Sequence, residues 1–294
     1  MTSTNKILES QYAESMIYLA TLHTENLQKD RTGVGTYRKQ HQYFEIDPNY
    51  DFPAIKGKMV HPKKAFIELI WMLSGRTNTD FLNQHGVKYW NEWADENGEL
   101  GPVYGYQMRK FNGIDQLKEV IKLLMNDPYS RRNIMSLWNP NDLYIMSLIS
   151  CHVLFQFTVM KNPKTGKDHL HLHVYQRSGD SFLGVPYDFM VIGFMQAIIA
   201  TLCNFELGLI HYTIGDYHMY ANHDKAVAEY VDNYANDPDN LIPQKTVCQI
   251  LCPEKFVGSG DIDGFLDFSI KQKCANFAMA PLKRYPAIPA PVAI

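Results

Sequence analysis

The sequence predicts an α+β fold, a single domain in which a mixed β-sheet packs against helices. Several separate segments carry apolar residues at helical spacing, and others alternate or are rich in β-branched and aromatic side chains, as strands are. No internal repeat, low-complexity tract or Pro/Gly/Ser-rich linker divides the 294 residues. With 46% hydrophobic and 13% aromatic content, the chain can bury one sizeable core.

Ser10 to Lys29 has helical spacing and runs into Asp30-Arg31-Thr32-Gly33-Val34-Gly35, a glycine-rich turn that carries an arginine. Lys63 to Leu73 reads as a buried helix ending near Gly75, and Glu68 is its one acid. Ile114 to Met125 reads as an amphipathic helix, stopped by Asp127-Pro128 ahead of Arg131-Arg132. Ile134 to Trp138, Val153 to Met160 and His169 to Gln176 read as strands. Phe189 to Cys203 reads as a central helix; interrupted by Gln196, it falls short of a membrane span. Leu209 to Ile214 is a strand leading to the polar cluster Gly215 to His223, and beyond about Ala235 the chain is rich in Pro and Asp, with weakly marked elements.

Charged residues make up 20% of the chain and the net charge is -3, so no basic field points to a nucleic-acid or membrane partner. The start, MTSTNKILESQYAES, lacks the basic and apolar regions of a secretory signal. Five cysteines, an odd number, fit reduced thiols in a cytoplasmic setting. Cys248 and Cys252 would be half a metal site, but no second pair follows at zinc spacing. His169, His171 and His173 share one face of a strand, as a metal site or as an exposed face. No acidic ligand stands at a suitable spacing, so no metal is expected.

Cys151-His152 stands where a strand begins. Facing a cleft, Cys151 would be a nucleophile that neighbouring arginines shift towards the thiolate; otherwise it is a small buried hydrophobe. In Gln176-Arg177-Ser178-Gly179-Asp180, followed by Leu183-Gly184-Val185-Pro186-Tyr187-Asp188, an arginine and a serine can grip a phosphate and two aspartates can read a base edge. A solvated turn with an Arg/Asp pair is the plainer reading. Arg31, Arg131 and Arg132 either converge with Arg177 on a phosphomonoester or solvate the surface. His218 and Tyr220 alternate onto one face, for a sugar hydroxyl or as a satisfied polar patch. Glu68, a carboxylate in an apolar helix, is either partnered or tuned for proton transfer.

The sequence resembles the thymidylate synthase family almost end to end. The likeness runs through DRTG at Asp30, GRTN at Gly75, WADENGELGPVYG at Trp93, DPYSRR at Asp127, WNPNDL at Trp138, CH at Cys151, QRSGDSFLGVPYD at Gln176, GDYHMYANH at Gly215 and the terminal APVAI. The resemblance implies a homodimer formed through the sheet, with 5,10-methylenetetrahydrofolate as co-substrate. It implies that Cys151 adds to C6 of a pyrimidine and that Arg31, Arg177 and Ser178, with Arg131 and Arg132 from the partner subunit, hold the phosphate. Gln176 falls in the substrate-binding motif, and His218 and Tyr220 match the contacts to the deoxyribose 3′-hydroxyl. Glu68, Tyr104 and His152 match the proton-transfer network. Trp90, Asp180 and Gly184 fall on the folate side. Ala290 to Ile294, with Ala293 among the folate contacts, match a tail that closes over the ligands.

The departures bear on the substrate. Asp188 stands where the dUMP-specific enzymes have asparagine, and dCMP hydroxymethylases of the same superfamily carry an aspartate there. A carboxylate can accept from N4-H and from a protonated N3, so dCMP is the expected substrate. Met59, Asn91, Met108 and Ser150 also depart from the family pattern and bear on folate affinity and on water near the transferred carbon. Trp90 and the APVAI tail are kept, which favours reductive methylation to 5-methyl-dCMP in a dry site. The alternatives are 5-hydroxymethyl-dCMP, should water reach that carbon, and dUMP methylation, should a protonated Asp188 mimic an amide. A silent nucleic-acid-binding relative is disfavoured by the intact nucleophile, arginines and tail. A dCMP-modifying enzyme would also fit a phage acting in its host's cytoplasm.

Overall fold

The computed structural model describes residues 7–22, 26–237, 248–279 and 285–293. Ile294 and most of the segment before Leu8 therefore lie outside the described residues. In chain order the helices are α1 (Leu8–Ala20), α2 (Pro62–Leu73), α3 (Asp80–Gln84), α4 (Tyr104–Lys110), α5 (Gln116–Asn126), α6 (Val185–Cys203), α7 (Asp224–Asn236) and α8 (Ile262–Lys271). The strands are β1 (Thr36–Ile46), β2 (Ile134–Ser136), β3 (His152–Lys161), β4 (Asp168–Asp180), β5 (Glu206–Tyr220), β6 (Cys248–Ile250) and β7 (Phe277–Met279).

Five strands form one sheet in the order β1-β5-β4-β3-β2, and β6 and β7 form a small hairpin-like pair elsewhere. Only β4 and β5 run parallel; the other neighbours are antiparallel, so the sheet is mixed as expected. A parallel pair needs a crossover, and α6 supplies it. One sheet face buries Phe44, Phe155, Phe157, Leu172, Val174, Ile210 and Tyr212 against this helix. The helix has the length and apolarity of a membrane span, but it is largely buried within the protein, with α2 packed on it. Its Gln196 Nε2 donates to the carbonyls of Leu170 and Gly208 at 2.8 and 3.0 Å, which satisfies the donor end of a buried amide where the β4–β5 register slips.

The same irregularity accounts for part of the histidine strand. His171 Nδ1 accepts the Leu209 N–H at 3.0 Å, and Gly208 leaves room for the ring, since a Cβ there would lie 2.7 Å from its Cδ2. His169 pairs with Glu206 at 3.0 Å, and His173 stands edge-on to His211. Among the described residues no group of three or more His, Cys, Asp or Glu is placed to hold a metal.

Two expectations are corrected. The first helix ends at Ala20 rather than Lys29; Gln28 instead pairs with Thr36 through two 2.9 Å backbone hydrogen bonds, and this closes the 30–35 turn. Gly35 is required there: its φ is +85°, and a Cβ would come within 3.0 Å of Leu27. The second correction concerns the polar cluster after Ile214, which continues β5 up to Tyr220. In addition, α6 begins at Val185, four residues before the expected start, so Asp188 lies in its first turn. Strand β1 and helices α4, α7 and α8 were not among the elements read from the sequence.

Candidate active site

Beside the carboxyl end of the parallel strands lies a cavity of about 830 Å³. It gathers Cys151, Glu68, Tyr104, Asp180, Arg31, Gln176, Arg177, Ser178, Asp188, His218, Tyr220, Trp90, Gly184 and Ala293, residues drawn from across the sequence. His152 lies just behind this wall. Arg131 and Arg132 do not reach the cavity; both are exposed, in the turn ahead of edge strand β2.

Cys151 precedes β3 and is half-buried. Its N–H donates to the Tyr104 hydroxyl at 2.9 Å. Arg177 braces the segment before it: Nε donates to the Ser150 carbonyl at 3.0 Å and Nη2 to that of Ile149 at 2.9 Å, while its own N–H donates to the Cys151 carbonyl at 2.8 Å. These contacts use backbone oxygens, so serine at 150 serves as well as another residue would. The expected drift towards the thiolate is corrected. Burial pushes the Cys151 thiol above its ordinary range, and the pull of Arg177 is the smaller effect.

Glu68 comes from the apolar α2, and among the described residues two side chains hydrogen-bond its carboxyl. Trp90 Nε1 donates to Oε1 at 2.6 Å and the Tyr89 hydroxyl to Oε2 at 2.7 Å. Burial outweighs these bonds and lifts its pKa to about 7. Asp188 is lifted to about 7 as well, chiefly by burial and against hydrogen bonds from Gln176 and Tyr212. Gln176 Nε2 lies 3.2 Å and the Tyr212 hydroxyl 3.4 Å from Asp188 Oδ2. His152 Nε2 stands 3.8 Å from Oδ1, but burial lowers that ring to about 3, so this is no ion pair at neutral pH.

The opposite rim is wetter. Asp30 accepts the Gly35 N–H at 3.1 Å and the Thr32 hydroxyl at 2.9 Å, and so fixes the loop that carries Arg31. Asp216 lies 3.3 Å from both Arg38 Nη1 and His218 Nδ1. Asp180 Oδ1 accepts the N–H groups of Phe182 and Leu183, which shapes the turn into α6 at Gly184. Ala290, Val292 and Ala293 line the mouth, and His223 Nε2 lies 2.8 Å from the Pro291 carbonyl beside them.

Sequence reasoning missed Tyr89, Trp93, Tyr187, Arg38, Asp216 and Tyr212, all but the last lining the same cavity. Tyr212 carried a signal: it lies in phase with the core residues Ile210 and Ile214, so its hydroxyl had to find a buried partner.

A family model described as thymidylate synthase matches residues 10–252. The thymidylate synthase of Buchnera aphidicola subsp. Baizongia pistaciae (strain Bp) is 43% identical over 209 residues, which cover 69% of this chain and 76% of that protein.

Proposed function

The chain belongs to the thymidylate synthase family, and from that premise we propose that it methylates C5 of dCMP, giving 5-methyl-dCMP, with 5,10-methylenetetrahydrofolate as co-substrate. The observation that carries the choice of base is the Asp188 carboxyl, half-buried beside Gln176 and Tyr212 in the wall that also presents Cys151. Cytosine offers an acceptor at N3 and a donor at N4. A protonated Asp188 donates to N3 and accepts from N4-H. As Cys151, its thiol proton released to solvent, adds through sulfur to C6, the C5=C6 electrons shift to C4–C5 and those of C4=N3 to N3, which takes the Asp188 proton, and the carboxylate then accepts from N3-H and N4-H. A pKa of about 7 suits a group that must hold and release a proton at neutral pH.

The cavity fits both ligands. Its volume of about 830 Å³ exceeds what a nucleotide needs, and Trp90, Trp93, Tyr187 and Leu143 offer ring faces and apolar surface for a pterin. The co-substrate supplies the one-carbon unit and, for methylation, the hydride. Arg31, Arg177 and Ser178 hold the phosphate, and His218 and Tyr220 the sugar hydroxyl. Glu68, held by Tyr89 and Trp90, exchanges protons on the far side of the base, with Tyr104 and His152 completing the network. Asp180 and Gly184 border the pterin. Trp90, Val292 and Ala293 exclude water from the transferred carbon, which favours methyl over hydroxymethyl.

Arg131 and Arg132 complete the phosphate site from a second copy. The sheet face opposite α6 supports such a homodimer, since it leaves Tyr43, Ile134, Met160 and Tyr175 exposed in neighbouring strands. Free thiols at Cys151, Cys203, Cys248, Cys252 and Cys274 suit a cytoplasmic enzyme.

A second reading, methylation of dUMP, is supported by the name of the Buchnera relative and by the same elevated pKa, because a protonated Asp188 can donate to O4 and accept from N3-H. Release of tritium from C5-labelled nucleotide tests the proposal. Release from dCMP well above that from dUMP is expected; release from dUMP alone would overturn the base assignment, and release from neither would overturn the activity.

A further inference from the structure

Tyr212 is fully buried on the core face of β5, its ring edge-on to Phe189 at 5.7 Å and stacked on His152 at 6.3 Å. Its hydroxyl reaches two side chains of the base-reading wall. It donates to Gln176 Oε1 and lies 3.4 Å from Asp188 Oδ2. The Gln176 amide has one sensible orientation, because its other end lies between two acceptors, the Ser178 carbonyl at 2.8 Å and Asp188 Oδ2 at 3.2 Å. Nε2 must occupy that end, which turns Oε1 towards Tyr212 and obliges the tyrosine to donate.

One oxygen of Asp188 thus accepts from Gln176 Nε2, while the Tyr212 hydroxyl beside it has its one proton committed to Gln176 Oε1. An oxygen that accepts from Gln176 Nε2 is a poor place for a proton, so a proton on Asp188 is directed to Oδ1. There His152 Nε2, 3.8 Å away, is too distant for a hydrogen bond. Oδ1 is left to a ligand.

This asymmetry matters because cytosine and uracil are mirror patterns at the edge in question. Read from N3 to position 4, cytosine is acceptor then donor and uracil is donor then acceptor. A neutral carboxyl matches either base, depending only on which oxygen carries the proton. A carboxyl whose proton is free to exchange between oxygens discriminates poorly.

We propose that Tyr212 is a specificity-positioning residue: by donating to Gln176 Oε1 it holds Gln176 Nε2 on Asp188 Oδ2, and so fixes which oxygen of Asp188 carries the proton and which pyrimidine the site accepts. The proposal rests on the reading of Asp188 as the residue that meets the base. Burial and the neighbouring Asp188 hold the Tyr212 hydroxyl far above the ordinary tyrosine range, so it stays a donor throughout. The other groups around Asp188 are Glu68 from α2, Tyr89 ahead of Trp90, Tyr104 from α4, Cys151 and His152 at the start of β3, and Gln176 and Asp180 from β4.

The test measures kcat/KM for dCMP and dUMP between pH 6 and 9, with methylenetetrahydrofolate and the full chain, for the parent, Tyr212→Phe and Asp188→Asn. Tyr212→Phe should bring the ratio of the two substrates towards one by about tenfold, the worth of one hydrogen bond to a charged group. Its pH profile should move upward, since Gln176 is no longer held as a donor to the carboxylate. An unchanged ratio, or equal loss on both substrates, while Asp188→Asn shifts the ratio, would mean that Tyr212 only packs. An unchanged ratio in Asp188→Asn as well would remove the base reading beneath the proposal. Should Tyr212→Phe fail to fold, 3,5-difluorotyrosine at 212 keeps the shape and strengthens the donor; the ratio should then move away from one, and an unmoved ratio would overturn the proposal.

Discussion

The inner wall of the cavity and its rim use the same side chain in opposite ways. Asp188, walled in by Tyr212, Gln176 and the start of α6, is lifted to about 7, mainly by burial. At the rim, burial also pushes Asp30 upward, but hydrogen bonds from Thr32 and Gly35 win and hold it below its ordinary value. Asp216 is held down first by its hydrogen bond with His218 and further by Arg38. On the proposed function, the inner wall is where protons change hands near neutral pH, and the rim supplies fixed charge that positions the nucleotide. Glu68 belongs to the first group, and Arg31 and Arg177 to the second.

Substitutions on the two sides should therefore fail differently. The largest expected effect is Cys151→Ser, which should cut C5 tritium release by more than about a thousandfold without weakening nucleotide binding measured by calorimetry. Next comes Asp188→Asn, which should move the dCMP to dUMP ratio towards uracil by about a hundredfold. Glu68→Gln should lower kcat by about a hundredfold with KM little changed, and should flatten the limb of the pH profile near neutrality. Arg31→Ala on the rim should do the reverse, raising the nucleotide KM by about tenfold with kcat largely kept. A rim variant that changed kcat alone, or a wall variant that changed KM alone, would dissolve the distinction.

A further effect is on stability, and the signs are opposite for wall and rim. Folded Asp188 keeps a proton that the unfolded chain releases above about pH 4, so this group's contribution falls as pH rises from about 4 to about 7 and is flat beyond. Asp30 and Asp216, held below their ordinary value, stabilise the fold above that value, and this contribution is lost as pH falls through their lowered pKa. Asp188→Asn should accordingly be more stable than the parent at pH 8, by about 2 kcal/mol, and equal to it below about pH 4. Urea denaturation at the two pH values gives both numbers.

The long, strongly patterned elements were legible in the sequence. Helix α2 with its lone Glu68, the apolar α6, and strands β3 and β4 stand close to where their residues predict. The site residues were legible for a different reason, since they lie in motifs. What could not be read was supplied by tertiary packing. Nothing in the sequence around Cys151 reveals that burial outweighs Arg177 at the thiol, because that depends on what closes over it. Tyr212 looks like a core tyrosine until Gln176 and Asp188 are brought to its hydroxyl. His171 looked like a third of a metal site, and a register slip between two strands makes it the acceptor for one backbone N–H.

The central claim is that the half-buried carboxyl of Asp188 selects cytosine. Turnover of dCMP and dUMP side by side with methylenetetrahydrofolate, following dihydrofolate absorbance and product mass, tests it most directly. The account predicts 5-methyl-dCMP formed with dihydrofolate and dUMP turned over far more slowly; efficient methylation of dUMP with dCMP untouched would contradict it.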